Sequence, residues 1–271
     1  MYTMLINFGL ALLVGGGLRL AGATGHWYWA MLWGALAFLA GQVTLGLLLQ
    51  RRVKRAMDGV QAVLLAGQKK LQQKINHWQQ RPPGSLKQAQ QELERDQRVF
   101  LEQALEASKG LEVYSRWTLM LDRQIATLRM QLYYQLKEFR KVDELLPRCM
   151  FLDPVTAAMK LARLHVRNEP AEAEKFFKKQ TGKLRYGQGA IFYSLYAWML
   201  VQRKEVDAAH KVLVQACTKM ENEVVKANRE HLANNRVNQF SNAGLADEWY
   251  ALGLEQPKVK AQRQARYGER F

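Results

Sequence analysis

The sequence is poor in cysteine, proline and acidic residues, and each shortage narrows what the chain can be. Only two cysteines, Cys149 and Cys217, occur in 271 residues. They lie far apart and form no C-x-x-C pair, which argues against a disulfide framework and fits a reducing compartment. Six prolines leave long stretches uninterrupted. Those stretches are rich in Leu, Ala, Gln, Lys, Glu, Arg and Met, the residues that lose least on entering a helix, so an all-α chain is expected. Asp and Glu number 24 against 40 Lys and Arg, a formal net charge of +16. A surplus of that size calls for an anionic neighbour: lipid headgroups, nucleic acid or an acidic protein. The positive bias of a membrane protein plus a solvated basic tail accounts for it without any specific partner.

Motifs of chemistry are also missing. The histidines, His26, His77, His165, His210 and His231, are scattered and form no recognised metal-site motif. Gly15-Gly16-Gly17 lies inside an apolar run and precedes no GK[ST], and there is no G-x-S-x-G. The acidic residues fall mostly on polar helix faces opposite lysines. No enzymatic activity, cofactor or metal is expected.

What is abundant is apolar length. Residues 4–22 and 27–50 are almost wholly apolar, and each is long enough to cross a bilayer core as a helix. The break around ATGHW allows only a tight turn, so residues 1–50 read as a transmembrane helical hairpin. Arg51, Arg52, Lys54 and Arg55 follow at once, and no acidic residue appears before Asp58. The positive-inside rule places this end, and all that follows, in the cytoplasm. The four cations form a membrane-surface cluster for anionic lipid. Trp27, Tyr28 and Trp29 mark the opposite interface, and Arg19 lies within snorkelling reach of it. Small residues at four-residue spacing (Ala11 and Gly15, Ala30 and Gly34, Ala37 and Gly41) allow close helix approach. Ala21-Gly22-Ala23 also has the form of a signal-peptidase site, without the charged n-region; cleavage there would leave one span and the same cytoplasmic part.

From Met57 the pattern becomes amphipathic. Met57, Val60, Leu64, Gly67, Leu71, Ile75 and Trp78 make a stripe that fits a helix or a heptad. It could pair with a second copy, giving a homo-oligomer through a stalk at 51–84, or pack on the next helix. Arg81-Pro82-Pro83-Gly84 stops the helix. Ser85 is an expected N-cap, Leu86, Ala89, Leu93, Phe100 and Ala104 the next stripe, and Gly110 its terminator. This linker is read as the boundary of a globular domain, 85–257, with a basic tail at 258–271.

Within that domain three stretches align: FRKVDELLPRC (139–149), PAEAEKFFKKQ (170–180) and VDAAHKVLVQA (206–216). Val142, Ala173 and Ala209 coincide, as do Leu146, Phe177 and Leu213. Each follows a corner glutamate, Glu138, Glu169 or Glu205, and a preceding apolar helix. A fourth stretch, 226–257, fits with Leu245, Trp249 and Leu252 and ends in Pro257. The pattern resembles the tetratricopeptide (TPR) family, whose unit is a helix–turn–helix of 34 residues. The first unit matches best, with Met130 and Tyr133 where the family packs helix on helix, Cys149 at its small position and Pro154 at its closing proline. The later units depart, with Leu161 at a small position and Arg185 and Glu221 where the closing proline would stand.

The resemblance implies a TPR-like α-solenoid of antiparallel helix pairs whose first helices line a concave face that holds a peptide segment. Carried over by position, that face is lined by Gln131, Tyr134 and Gln135, then His165, then Trp198 and Gln202, then Glu230, Asn234 and Asn238. Amides can donate and accept toward a peptide backbone, and Tyr and Trp make good anchors. The expected object is a multi-pass protein of bacterial inner-membrane type, a tethered adaptor or scaffold for another protein. The alternative is an assembly subunit of a membrane complex, contacting its partners through the hairpin and stalk. A nucleic-acid tether, suggested by Tyr267 and Phe271 among the cations of the tail, is the weakest of the three.

Overall fold

A computed structural model describes residues 2–22, 26–81, 84–117 and 120–256. The prolines at 82 and 83, Ala23, Pro257 and the basic tail fall outside the described residues. Every regular element among them is helical, with no strand. The chain divides into two units, one ending at Met150 and the other beginning at Phe151. The division falls inside the sequence-defined domain 85–257 and not at the 81–84 linker.

In the first unit, α1 (Tyr2–Leu20) and the start of α2 (Trp27–Gln80) run antiparallel. The small residues set the contact. A Cβ at Gly15 would come within 2.9 Å of the Ala30 carbonyl oxygen, and one at Gly34 within 3.0 Å of the Ala11 carbonyl oxygen. Gly41 makes room for Asn7, the one buried side chain of α1. The outward faces are large and apolar, with Leu13, Leu20, Trp27 and Met31 exposed.

α2 continues through residues 50–57 as one helix of 54 residues, about 80 Å long at 1.5 Å per residue. The expected boundary between span and stalk is a change of polarity only, because nothing there breaks a helix. The stalk stripe is covered by α3 (Leu86–Lys109), which runs back along it. Phe100 lies where a Gly67 side chain would be, and Lys74 reaches Asp96 at 2.8 Å and Glu92 at 2.9 Å. Those two carboxylates raise the Lys74 pKa by hydrogen bonding, against a smaller desolvation penalty. The stripe thus packs on the following helix. Ser85 makes no side-chain cap, and Gly110 ends α3 in a right-handed conformation, φ −60°, so its terminator role needs no glycine.

The core of this unit joins Val60, Leu101, Ala104, Leu111, Leu121, Ile125 and Leu132. It thus ties α2 and α3 to α5 (Leu121–Gln135), past the short α4 (Glu112–Ser115). α6 (Phe139–Leu145) packs on α5 and ends in a 3-10 turn at Leu146–Arg148, with Val142 and Leu146 buried as the alignment requires.

The second unit holds α7 (Pro154–Val166), α8 (Pro170–Thr181), α9 (Ala190–Gln202), α10 (Val206–Lys219) and α11 (Glu223–Ala233). Pro154 opens α7 at its first turn, where its missing N–H costs nothing, and Asp153 Oδ2 caps the N–H groups of Val155 and Thr156. α9 is apolar on all sides because it is enclosed by α7, by α10 and by Phe177 of α8. Phe177 stacks on Tyr196 with ring centroids 4.0 Å apart and on Phe192 at 5.3 Å. Burial pushes the Tyr196 hydroxyl up to about 12, with Glu174 adding to the shift. It therefore stays protonated and neutral in this aromatic stack.

Four helices end in the same kind of corner. Lys137, Asn168, Lys204 and Asn235 take left-handed φ of 60°, 57°, 63° and 56°. In each case the next N–H reaches back to the carbonyl five residues earlier: Glu138 to Tyr133, Glu169 to Leu164, Glu205 to Leu200 and Arg236 to His231. This is the Schellman arrangement, which satisfies carbonyls orphaned at a helix end. The corners fall where the aligned stretches place the turn. Left-handed backbone disfavours a side chain, so Lys204→Gly is expected to stabilise the second unit by about 0.5–1 kcal/mol, the relief being partly offset by the glycine's greater unfolded entropy. A rise in denaturation midpoint at unchanged slope is the check.

The fourth stretch differs from its expectation. After α11 there is no second long helix, only 3-10 turns at Val237–Gln239 and Ala243–Leu245 and the short α12 (Asp247–Tyr250). Asparagine chemistry gives the reason: such side chains offer the backbone an alternative to the helix. Asn228 Nδ2 donates to the Ser241 carbonyl at 3.0 Å and to Asn242 Oδ1 at 2.9 Å, while its Oδ1 accepts from the Ser241 N–H. Asn242 Nδ2 in turn donates to the Ser194 carbonyl of α9 at 3.0 Å. This buried network pins an irregular C-terminal segment over the stack.

Candidate partner-binding face

The nine residues nominated for a peptide-holding face divide between the two units. In the first, Gln131 is half-buried and Gln135 exposed at the end of α5. Tyr134 points inward. It is 4% exposed and packs edge-on against Phe139 with centroids 5.5 Å apart. This corrects its nomination as a contact. Tyr134 lies four residues after buried Met130 and shares its helix face, so it belongs to the α5–α6 core. Tyr133 is the more open of the pair, half-buried with Lys141 Nζ 4.9 Å from its ring centre.

In the second unit the structure brings two nominated residues together and adds two that sequence reasoning missed. His165, near the end of α7, meets Trp198 of α9 at 5.1 Å, edge to face. Trp198 then meets Trp249 of α12 at 5.6 Å. Both indole N–H groups donate to one carboxylate: Trp198 Nε1 to Glu255 Oε1 and Trp249 Nε1 to Glu255 Oε2, each at 2.8 Å. Trp249 is fully buried, as its place in the apolar pattern of the fourth stretch implies, but its link to Glu255 leaves no periodic trace in the sequence. The C-terminal segment therefore covers the aromatic part of the nominated face.

Gln202 is exposed one turn beyond Trp198, and Glu230, Asn234 and Asn238 are exposed on and after α11. Asn234 Nδ2 donates to the Glu230 carbonyl at 2.9 Å, closing the helix end. The open part of the face is thus amide and carboxylate.

Desolvation lowers the His165 pKa from its ordinary value. The unfolded chain then takes up this proton before the folded chain does. Stability from His165 is complete above the unfolded pKa and declines as pH falls through the lower folded one. Melting temperature is expected to fall between about pH 7 and about pH 5, and His165→Gln to flatten part of that slope. Parallel melting curves with pH for the two proteins are the check.

Arg51, Arg52, Lys54 and Arg55 are all exposed on α2. α1 and the first part of α2 are each long and apolar enough to cross a membrane. Elsewhere in the first unit a cleft of about 640 Å³ is lined by Tyr2, Trp117, Arg129 and Arg148 among others. Two of its arginines are paired: Arg129 Nη1 meets Glu112 at 2.6 Å and Arg148 Nη2 meets Asp122 at 2.9 Å. Among the described residues no group of three or more His, Cys, Asp or Glu is placed to hold a metal ion. No family model matches the chain, and no curated protein or solved structure is significantly similar to it.

Proposed function

We propose that this chain is a membrane-tethered adaptor or scaffold of bacterial inner-membrane type. Its N-terminal helix pair sits in the bilayer, and its TPR-like helices hold another protein on the cytoplasmic side. The observation that carries the reading is the recurrence of one left-handed corner at Lys137, Asn168, Lys204 and Asn235, each ending a first helix of the aligned stretches. At the first three corners a second helix follows and packs back on the first, α6 on α5, α8 on α7 and α10 on α9, and hairpins that stack leave their first helices free to line a binding face. Exposed Gln202, Glu230 and Asn234 on those helices supply donors and acceptors for an extended peptide. The exposed apolar faces of α1 and early α2 support the tether, and the four cations after the span orient it.

Photo-crosslinking on the full-length protein in its native membrane tests this. A photoreactive residue at Gln202 or Asn234 should trap a defined protein, and one at Lys175, exposed on α8, should not. Equal trapping at all three positions removes the binding face. The alternative, a structural subunit held through its spans, predicts trapping from Leu12 or Leu39 instead. Against it stands the use of Ala11, Gly15, Ala30 and Gly34 within the chain's own helix pair, which leaves large apolar side chains outward.

A further inference from the structure

Helix register places an unassigned segment at the membrane surface. Along the first pair, Gly34 lies against Ala11 and Gly41 against Asn7, so one turn further Thr3 is level with Leu45. Along the second pair, Lys74 lies against Asp96 and Gly67 against Phe100. Continuing that register brings Leu111 level with Ala56 and Met57, and all three belong to one core cluster. α3 therefore carries the chain back to the foot of the stalk. Beyond it, the Trp117 carbonyl accepts from Thr3 Oγ1 at 3.3 Å, and the Trp117 ring meets Tyr2 with centroids 5.5 Å apart. Trp117 is thus level with Leu45, about 9 Å to the membrane side of Arg51 at 1.5 Å per residue.

We infer that residues 111–117, with Tyr2, form an interfacial foot that enters the headgroup layer and seats the first unit on the bilayer. This rests on the membrane reading above. The side chains suit that layer. Val113 is 70% exposed, the most open apolar residue of the segment. Trp117 and Tyr2 combine an apolar body with a polar edge, the composition that settles at a membrane–water boundary. Exposed Arg51, Arg52, Lys54 and Arg55 give a basic rim that matches anionic headgroups. The acidic residue of the segment, Glu112, is taken up by Arg129 at 2.6 Å and adds no free negative charge. The occupant of this surface is lipid, because exposed Val113 lies between Leu111, level with Ala56 and Met57, and Trp117, level with the span's last turns at Leu45.

The test is depth-resolved quenching of the full-length protein in phosphatidylcholine–phosphatidylglycerol vesicles, with Cys149 and Cys217 replaced by serine. Single fluorophores are placed through Val113→Cys, Leu39→Cys and Leu65→Cys, all at exposed positions. Nitroxides sit on the lipid headgroup in one set of vesicles and deep on the acyl chain in another. The expected result is loss of most Val113→Cys fluorescence to the headgroup nitroxide, loss at Leu39→Cys to the deep one, and little loss at Leu65→Cys to either. If Leu39→Cys is quenched while Val113→Cys behaves like Leu65→Cys, the foot is overturned and the spans stand. If Leu39→Cys escapes the deep nitroxide, the membrane reading falls and the foot falls with it.

Discussion

Phe177→Ala is expected to destabilise the second unit by about 3–5 kcal/mol, the range for deleting a fully buried aromatic ring. Phe177 is 4% exposed and lies between α8 and α9, stacked on Phe192 and Tyr196 and meeting Tyr193 edge-on at 5.5 Å. Removing it strips three aromatic partners at once. The cavity cannot close by side-chain shifts alone, since α9 is already held by α7 and α10. Denaturant unfolding of the detergent-solubilised chain, followed by near-ultraviolet circular dichroism, should show the loss in the aromatic signal of this unit. A loss below about 1 kcal/mol would mean that α8 does not pack on α9 as described.

The second large effect is expected from Val60→Asp. Val60 is 1% exposed and sits where α2, α3 and α5 meet. No cation is among the residues of that cluster, so the carboxylate would be buried without a partner, or would take up a proton and remain unsatisfied. A loss of at least about 4 kcal/mol is expected, with α3 released from α2. Limited proteolysis separates this from general unfolding. Cleavage within α3 should appear, while the second unit keeps its resistance.

Much of the helical content could be read from the sequence because apolar periodicity is local. The stripe from Met57 to Trp78 and the small residues of the first pair recur at helical spacing, and the corner glutamates Glu138, Glu169 and Glu205 recur 31 and 36 residues apart. What could not be read is long-range. That the stripe of α2 meets α3 depends on the chain doubling back after α2, and periodicity alone does not carry that. Tyr134 is a different case. Its spacing of four from buried Met130 puts it on the same helix face, whereas position within a repeat pattern does not distinguish it from its neighbour Tyr133. The capped fourth stretch was missed because Leu245, Trp249 and Leu252 keep an apolar spacing even in irregular backbone. Glu255 joins two tryptophans of distant sequence position, a contact that no window on the sequence contains.

On the membrane reading proposed above, an unbroken helix from Trp27 to Gln80 makes the stalk a lever arm with no hinge at the lipid boundary. Roughly 45 Å of it extends past Gln50, so a tilt of about 10° in the embedded portion sweeps the far tip through about 8 Å. Embedded helices lean to match the thickness of the surrounding hydrocarbon. The tip at Gln80 would therefore magnify a difference between thin and thick bilayers into a displacement as large as a side chain.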